Sequence, residues 1–580
     1  MYRKDIKKSW QVMNKLLGRV KSNQDIREVV FDGNSCTDIG EIAENFNDFF
    51  VNIAENLDNN LPNSNVSPTH YLTENFPDSF YLFPPTNDEI LKLISLLKLT
   101  KTNINTIPVA IFKRIGIFII CPLVKLIGLS FMSGKFPDIL KIARVTPIFK
   151  SGAHNLPSNY RPIVSLPFIS KILERCIFNR MISFSNKFSL LSNNQFGFRK
   201  HLSTSDALYQ LSENIYDSLN RRNHHSSVLI DLKKAFDTVN HQVLINKMFY
   251  YGFRGIVNNL LKSYLENRVQ YVQMSVNKST TKCITIGVPQ GSILGPLLFL
   301  FYVNDLPKLS SNSKMTLFAD DTIISVSKPN YEELVSCLSR ELFLIKSWTN
   351  SNRLSINVTK TQAIKFSNIP MTINGNEPRI SIDGSFLDLV TSCRYLGVEL
   401  DNKLTFAGHI KTITSKIAKS TGIFYRIKNL LPLKARIDFY YSFVYPYLSY
   451  CILVWGGTYP TNLQNLIIQQ KKFIRLLNDS PYGCHTSPIF HKLGILKFDD
   501  VYKYHMGMYM YVNHGKYSCM HDMNTRNSKL AVPKFHRLTQ TQHAISFKGP
   551  HIWNSIPGEI QNLKTIKKFK LKDHLINFYV

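Results

Sequence analysis

Met315-Thr-Leu-Phe-Ala-Asp-Asp-Thr-Ile-Ile324 decides how this chain is read. Apolar and β-branched residues flank two adjacent acids, Asp320 and Asp321, so the stretch predicts two paired strands with the acids projecting from their turn. Like charges crowded into a hydrophobic hairpin are costly without a counter-ion, which implies a divalent cation. An acidic turn without a ligand is the alternative, and the commoner one for an isolated Asp-Asp. About ninety residues upstream lies Ser226-Ser-Val-Leu-Ile-Asp-Leu-Lys-Lys-Ala-Phe-Asp-Thr-Val-Asn-His241. Here an apolar strand, 228–230, delivers Asp231 to its end, where a rigid scaffold can present a ligand. Asp231, Asp320 and Asp321 together suit Mg²⁺, which takes one or two protein carboxylates and leaves room for substrate phosphates. Two such ions roughly 4 Å apart are a general solution for in-line phosphoryl transfer.

Between these acids stands Gly287-Val-Pro-Gln-Gly-Ser-Ile-Leu-Gly-Pro-Leu-Leu-Phe299. It resembles motif B of non-LTR retrotransposon polymerases, as the two acidic stretches resemble motifs A and C of reverse transcriptases. The chain as a whole is similar to the reverse transcriptase of LINE-type, jockey-like non-LTR retrotransposons, in a polymerase portion lacking the endonuclease. The resemblance covers about four fifths of the chain and is densest over 143–400. It implies an α+β fold of right-hand polymerase architecture: fingers, a palm with a small antiparallel sheet, a helical thumb, and helical N- and C-terminal extensions.

Pro289 and Gly291 would shape a loop before a helix, with Gly291 allowing close approach to a nucleotide. Gln290 can hydrogen-bond a base-paired substrate. Ala143-Arg-Val-Thr-Pro-Ile-Phe-Lys150 and Ser158-Asn-Tyr-Arg-Pro-Ile163 resemble fingers motifs, so gripping the triphosphate would fall to Lys150 and Arg161. Either base alone could equally be solvated surface. Lys171 and Glu174 continue the match as structural residues. Gln195-Phe-Gly-Phe-Arg199 resembles the segment lying along the template, with His201 where the family often has Gly. Trp348 to Thr361 resembles motif D, making Lys360 a candidate to protonate departing pyrophosphate, against the ordinary reading of a solvated lysine. Tyr395-Leu-Gly397 looks like motif E, the hairpin against which a primer end rests. Phe236, five residues beyond Asp231, stands where related polymerases carry a ring that excludes a 2′-hydroxyl; core packing is a compatible alternative.

Composition agrees. The 580 residues suffice for several domains, 44% are hydrophobic, and the formal charge of +30 points to a polyanion. Aromatics at 12% offer stacking surfaces, though most will be core. Nine dispersed cysteines without a CxxC pair, and an N-terminus without an apolar signal region, point to reduced thiols inside the cell. Cys484-His485 and Cys519-Met-His521 do not have zinc-knuckle spacing, so no zinc is assigned. No membrane span is expected: 116–124 is too short, and 439–457, with Pro446, reads as a buried helix pair.

The expected divisions are an N-terminal helical extension and linker (1–90), fingers (91–225), palm (226–402, with the reverse transcriptase core about 130–400), helical thumb (403–480) and a C-terminal region (481–580). In the thumb, Lys471, Lys472 and Arg475 could follow the product duplex. The resemblance implies an RNA-directed DNA polymerase that adds dNTPs to a primer 3′-hydroxyl on an RNA template, with DNA primer or target DNA as partner. It implies two Mg²⁺ ions, with Mn²⁺ as a substitute, held by Asp231, Asp320, Asp321 and the Leu232 carbonyl. An endonuclease would have to come from elsewhere, the chain reading as part of a longer or 5′-truncated open reading frame. The implied location is a ribonucleoprotein of cytoplasm and nucleus, not secreted. The alternatives are a catalytically inactive or domesticated nucleic-acid-binding protein and a group II intron maturase-like protein; Phe318 and Ser292-Ile-Leu-Gly295 speak against the latter.

Overall fold

The computed structural model describes residues 26–517 and 530–577, apart from 27, 73–74, 99–106, 368–377 and 562–567. Cys519-Met-His521 lies outside the described residues.

The fold is a mixture of helix and sheet built around a five-stranded sheet. Its strands run in the order Asp388–Val390, Gln362–Phe366, His224–Ile230, Asp321–Lys328, Lys314–Phe318. Pairing is antiparallel except at the 388–390 edge, which runs parallel to 362–366. Strand side chains alternate between the two faces of a sheet, and here both faces are buried. Val228, Ile230, Ile324, Val326 and Ala363 enter one hydrophobic core. Ile323, Ile364 and Phe366 enter a second, with Leu229 packed against it. Continuous apolar runs such as Val228-Leu-Ile230 are what such two-sided burial demands.

The first core is completed by helices that include Phe168–Lys187, His241–Tyr250, Leu294–Tyr302 and Tyr331–Ser351. It contains a fully buried ion pair: Lys247 Nζ donates to Asp305 at 2.7 and 2.9 Å, and Trp348 Nε1 donates to the same carboxylate at 3.1 Å. The second core joins helix Thr204–Asn220 to the hairpin Ser392–Tyr395/Val398–Asp401 and to helices Ala407–Ile427 and Pro460–Leu477. The C-terminal region belongs to this core as well. Glu213 accepts the Ile545 and Ser546 amides at the N-terminus of helix Ile545–Asn554, at 2.6 and 3.3 Å.

A second sheet runs Tyr160–Ser165, Ile142–Phe149, Arg268–Met274, Asn277–Lys278, with Lys282–Ile284 pairing 268–270. Strand 268–274 therefore leaves the 226–402 stretch to lie parallel to strand 142–149. Helix Ile39–Asn59, capped by Asp38, buries Ile42, Phe46 and Phe50 against this sheet. Its acids Glu44 and Asp48 reach Lys282, and Asp58 pairs with Arg353, so the helix ties the second sheet to the segment after helix 331–351.

Residues 439–457 correct the expected helix pair. Three short helices, Leu433–Phe443, Tyr445–Ser449 and Ile452–Trp455, break at Val444 and at Cys451, whose φ is 50°. Among the described residues no single helix is long and apolar enough to cross a membrane.

Candidate active site

The Phe318-Ala-Asp-Asp321 stretch forms the expected hairpin turn. Phe318 pairs with Asp321, leaving Ala319 and Asp320 as a two-residue loop. Such short turns match the right-handed strand twist when the first central residue has positive φ, and Ala319 sits at φ 59°. Neighbouring strand 224–230 pairs Ile230 with Thr322, so Asp231 comes one register step on, beside the acidic turn. Two strands thus deliver three acids to one rim of the sheet.

Asp231 is held from its other side by the segment after helix 331–351. The Asn357 amide donates to the Asp231 carbonyl at 2.7 Å, and Asn357 Nδ2 donates to Asp231 Oδ2 at 2.9 Å. The Lys233 amide donates to the Ser355 carbonyl at 2.8 Å. Leu232, opposite Ile356, takes the non-hydrogen-bonded position, so its own carbonyl points away from that strand.

Asp320 and Asp321 reach solvent at the tip, yet surrounding protein displaces much of their water. That burial raises Asp320 above its ordinary range, with the charge of Asp231 adding, while Arg161 and Lys150 oppose it. Asp321 is pushed up to about 6 by burial and then by Asp320 and Asp231. Lys150 is lowered by partial desolvation, then by Arg161, Lys360 and Lys234, with Asp231 pulling the other way. Lys150 thus lies within electrostatic reach of Arg161, Lys360 and Asp231, Asp320 within reach of Asp231, Arg161 and Lys150, and Asp321 within reach of the other two acids; Lys234, beside Lys150, is a base that the sequence reading passed over.

Among the described residues, no three His, Cys, Asp or Glu side chains are grouped to hold a metal by themselves, Asp231, Asp320 and Asp321 included. The donor chemistry still fits a hard cation: the groups are all oxygen, they repel one another, and Mg²⁺ needs only one or two of them beside substrate phosphates.

The loop 287–291 lies against the second sheet. Gln290 Nε2 donates to Asp237 Oδ1 at 2.6 Å, and the Gln290 carbonyl accepts the Val164 amide at 3.1 Å. Gly291 has φ 124°, and a Cβ there would meet the Val164 carbonyl oxygen at 2.5 Å. The close approach that calls for glycine is thus to strand 160–165. The buried Glu174 accepts the Ile293 and Leu294 amides at 2.6 and 3.3 Å and so caps helix 294–302. Phe236 is half-buried, stacked on Phe299 at 4.4 Å, and edge-on to Phe198 at 6.2 Å; Phe198 itself is 57% exposed.

Segment 194–197 makes a short parallel pairing with the outer strand of the acidic hairpin. Leu317 exchanges backbone hydrogen bonds with Asn194 and Phe196, both at 2.8 Å. Gln195 and Phe196 are buried, which leaves Phe198 as the outward-facing ring of the stretch. His201 adopts φ 65°, a backbone state that glycine favours. Tyr450 Oη donates to the Leu396 carbonyl at 2.7 Å and accepts from the Thr204 hydroxyl at 3.2 Å, fixing the tip of hairpin 392–401. Lys471 and Lys472 are exposed, and the half-buried Arg475 donates through Nε to the Cys484 carbonyl at 2.8 Å.

Asn357 and Gln195 were missed as site residues from sequence. Their positions inside the quoted motifs were visible, but the partners of their amide groups were not.

Residues 148–400 match the family described as reverse transcriptase (RNA-dependent DNA polymerase). The chain is 28% identical over 496 residues to the probable RNA-directed DNA polymerase from transposon BS of Drosophila melanogaster, a match covering 81% of this chain and 54% of that one. It is 29% identical over 379 residues to the RNA-directed DNA polymerase from mobile element jockey of the same organism, covering 63% and 41%. The chain thus spans about half the length of these relatives. Similar solved structures include a Candida albicans telomerase in complex with a telomeric RNA fragment (TM-score 0.37, 11% identity, 67% of this chain and 69% of that one). Another is the RNA-dependent RNA polymerase of a human picobirnavirus (TM-score 0.36, 11% identity, 82% and 88%).

Proposed function

We propose that the reverse transcriptase domain formed by residues 148–400 works as the RNA-directed DNA polymerase of a non-LTR retrotransposon, extending a primer 3′-hydroxyl with dNTPs on an RNA template. The observation that carries this reading is the convergence of Asp231 with Asp320 and Asp321 at adjacent strand ends, facing Lys150, Arg161 and Lys360. In this reading the five-stranded sheet and its helices are the palm, the second sheet with helices before it the fingers, and helices 407–427 and 460–477 the thumb. The formal charge of +30 supplies the general attraction for RNA and DNA.

Asp231, Asp320, Asp321 and the Leu232 carbonyl would hold two Mg²⁺ ions, or Mn²⁺ in their place, which when bound lower the pKa of the 3′-hydroxyl and stabilise the leaving group. Lys150 and Arg161 bind the triphosphate and neutralise charge as it builds. Lys360, one turn from the Asn357 that orients Asp231, is placed to give a proton to departing pyrophosphate. Phe236, backed by Phe299, forms a rigid floor under the sugar that a 2′-hydroxyl would strike. Gln290 and Gly291 fix the loop beside the incoming base pair. Nicking of a target DNA is assigned to an activity outside these residues, and the working form to a ribonucleoprotein of cytoplasm and nucleus.

The test is primer extension on an RNA template with Mg²⁺ and dNTPs, comparing the natural chain with Asp231→Asn and Asp320→Asn. Extension by the natural chain, lost in both variants while RNA binding persists, is expected. A folded, RNA-binding natural chain that never extends a primer would favour a nucleic-acid-binding role, and equal extension by the variants would refute the assignment of the acids.

A further inference from the structure

The turn that carries Asp320 is held against its own backbone preference. Ala319 occupies φ 59°, where an L-residue's Cβ crowds its backbone. Strain of this kind persists only where surrounding structure fixes it. Here the fixing group is a single oxygen. Gln195 Oε1 accepts the Ala319 amide at 2.9 Å and the Gly197 amide at 2.8 Å. Gln195 is 2% exposed. Its backbone is locked as well, because Asn194 and Phe196 on either side pair with Leu317. The side chain therefore touches neither template nor triphosphate, although it lies in the stretch that resembles a template-facing segment.

From this geometry we propose that Gln195 is a positioning residue for the catalytic turn: its carboxamide oxygen holds Ala319 in the left-handed conformation and so sets the direction in which Asp320 projects towards Asp231. The inference rests on the reading of these acids as the metal-holding groups. A neutral acceptor suits the place. An apolar side chain would leave two amides without an acceptor. The second amide, from Gly197, ties the turn to the loop that bears Phe198, so the acid and the exposed ring are fixed by one group.

The experiment compares the natural chain with Gln195→Leu, Gln195→Glu and Asp320→Asn. Mn²⁺ binding to the chain with primer–template is read by electron paramagnetic resonance, alongside kcat, KM for dNTP and thermal melting. Gln195→Leu is expected to bind primer–template as before but to bind Mn²⁺ about tenfold more weakly, the scale of one lost hydrogen bond. Its kcat falls while KM for dNTP stays. Gln195→Glu keeps the acceptor and is expected to stay within about threefold of the natural chain in metal binding. It also decides the matter if Gln195→Leu fails to fold, since a tenfold loss in a folded Gln195→Glu overturns the proposal. Metal binding lost in Asp320→Asn but unchanged in Gln195→Leu refutes the inference alone. Metal binding unchanged in Asp320→Asn refutes the reading of the acids on which it stands.

Discussion

Gly197→Ala should disable the site from outside it. Gly197 is buried, and a Cβ on it would fall well inside contact distance of the Ala319 amide nitrogen, 3.0 Å from the Phe318 carbonyl carbon and 3.1 Å from Gln195 Oε1. All three atoms belong to the acidic turn or to the group that holds it. Ordinary contact begins near 3.4 Å, so the turn or the 195–199 loop must retreat by about 1 Å. Just before Gly197 the loop is pinned by the backbone hydrogen bonds of Asn194 and Phe196 with Leu317, so the displacement falls on the two-residue turn carrying Asp320. A displacement of about 1 Å at a reacting centre costs on the order of 100-fold in rate, or about 2.7 kcal/mol of barrier. The assay is single-turnover extension of a DNA primer on an RNA template, with primer–template affinity and thermal melting measured separately. The expected result is a kcat lower by about two orders of magnitude with affinity unchanged. Gly422→Ala, on helix 407–427 with open space at its Cβ, serves as the control and should be neutral. A folded Gly197→Ala within twofold of the natural rate would refute the argument that this loop sets the position of the turn.

Three further outcomes are expected. Asn357→Ala removes the hydrogen bond to Asp231 Oδ2 and should lower kcat about tenfold without changing KM for dNTP; an unchanged kcat in steady-state extension would mean the backbone pairing alone orients Asp231. Phe236→Val should raise ribonucleotide use relative to deoxynucleotides on the order of tenfold, read from competing extension reactions, and an unchanged ratio would leave Phe236 as packing for Phe299. His225, bonded to Ser218 and Ser227, is lowered to about 3 by burial and then by Lys314. Because the unfolded chain takes up this proton first, its contribution to stability is intact above pH 6.5 and falls as pH drops from there to about 3, by ~1.4 kcal/mol per unit. Urea midpoints for His225→Asn should therefore decline less between pH 6.5 and 4 than those of the natural chain, and parallel curves would refute the buried, neutral imidazole.

How much of this was legible beforehand follows from what local sequence can encode. The apolar and β-branched residues on both sides of Asp320 and Asp321 set a hairpin, and the acids between them set its turn. Likewise Ile42, Phe46 and Phe50 at helical spacing mark the face of helix 39–59 that the structure buries. The motif order set the family resemblance and the candidate acids and bases that the fold then brought together. Periodicity says which face is buried and is silent about what buries it. Only the tertiary structure decided that strand 224–230 lies between 321–328 and 362–366, and that strand 268–274 joins 142–149 across more than a hundred residues. The same holds for side chains with one short reach and many candidate partners. Gln195 could have faced a template but accepts an amide 124 residues away. Gly291 lies against the Val164 carbonyl of a strand more than a hundred residues away. Arg475 Nε finds the Cys484 carbonyl. Each of those partners is chosen by the packing of distant segments, and no local pattern in the chain carries that information.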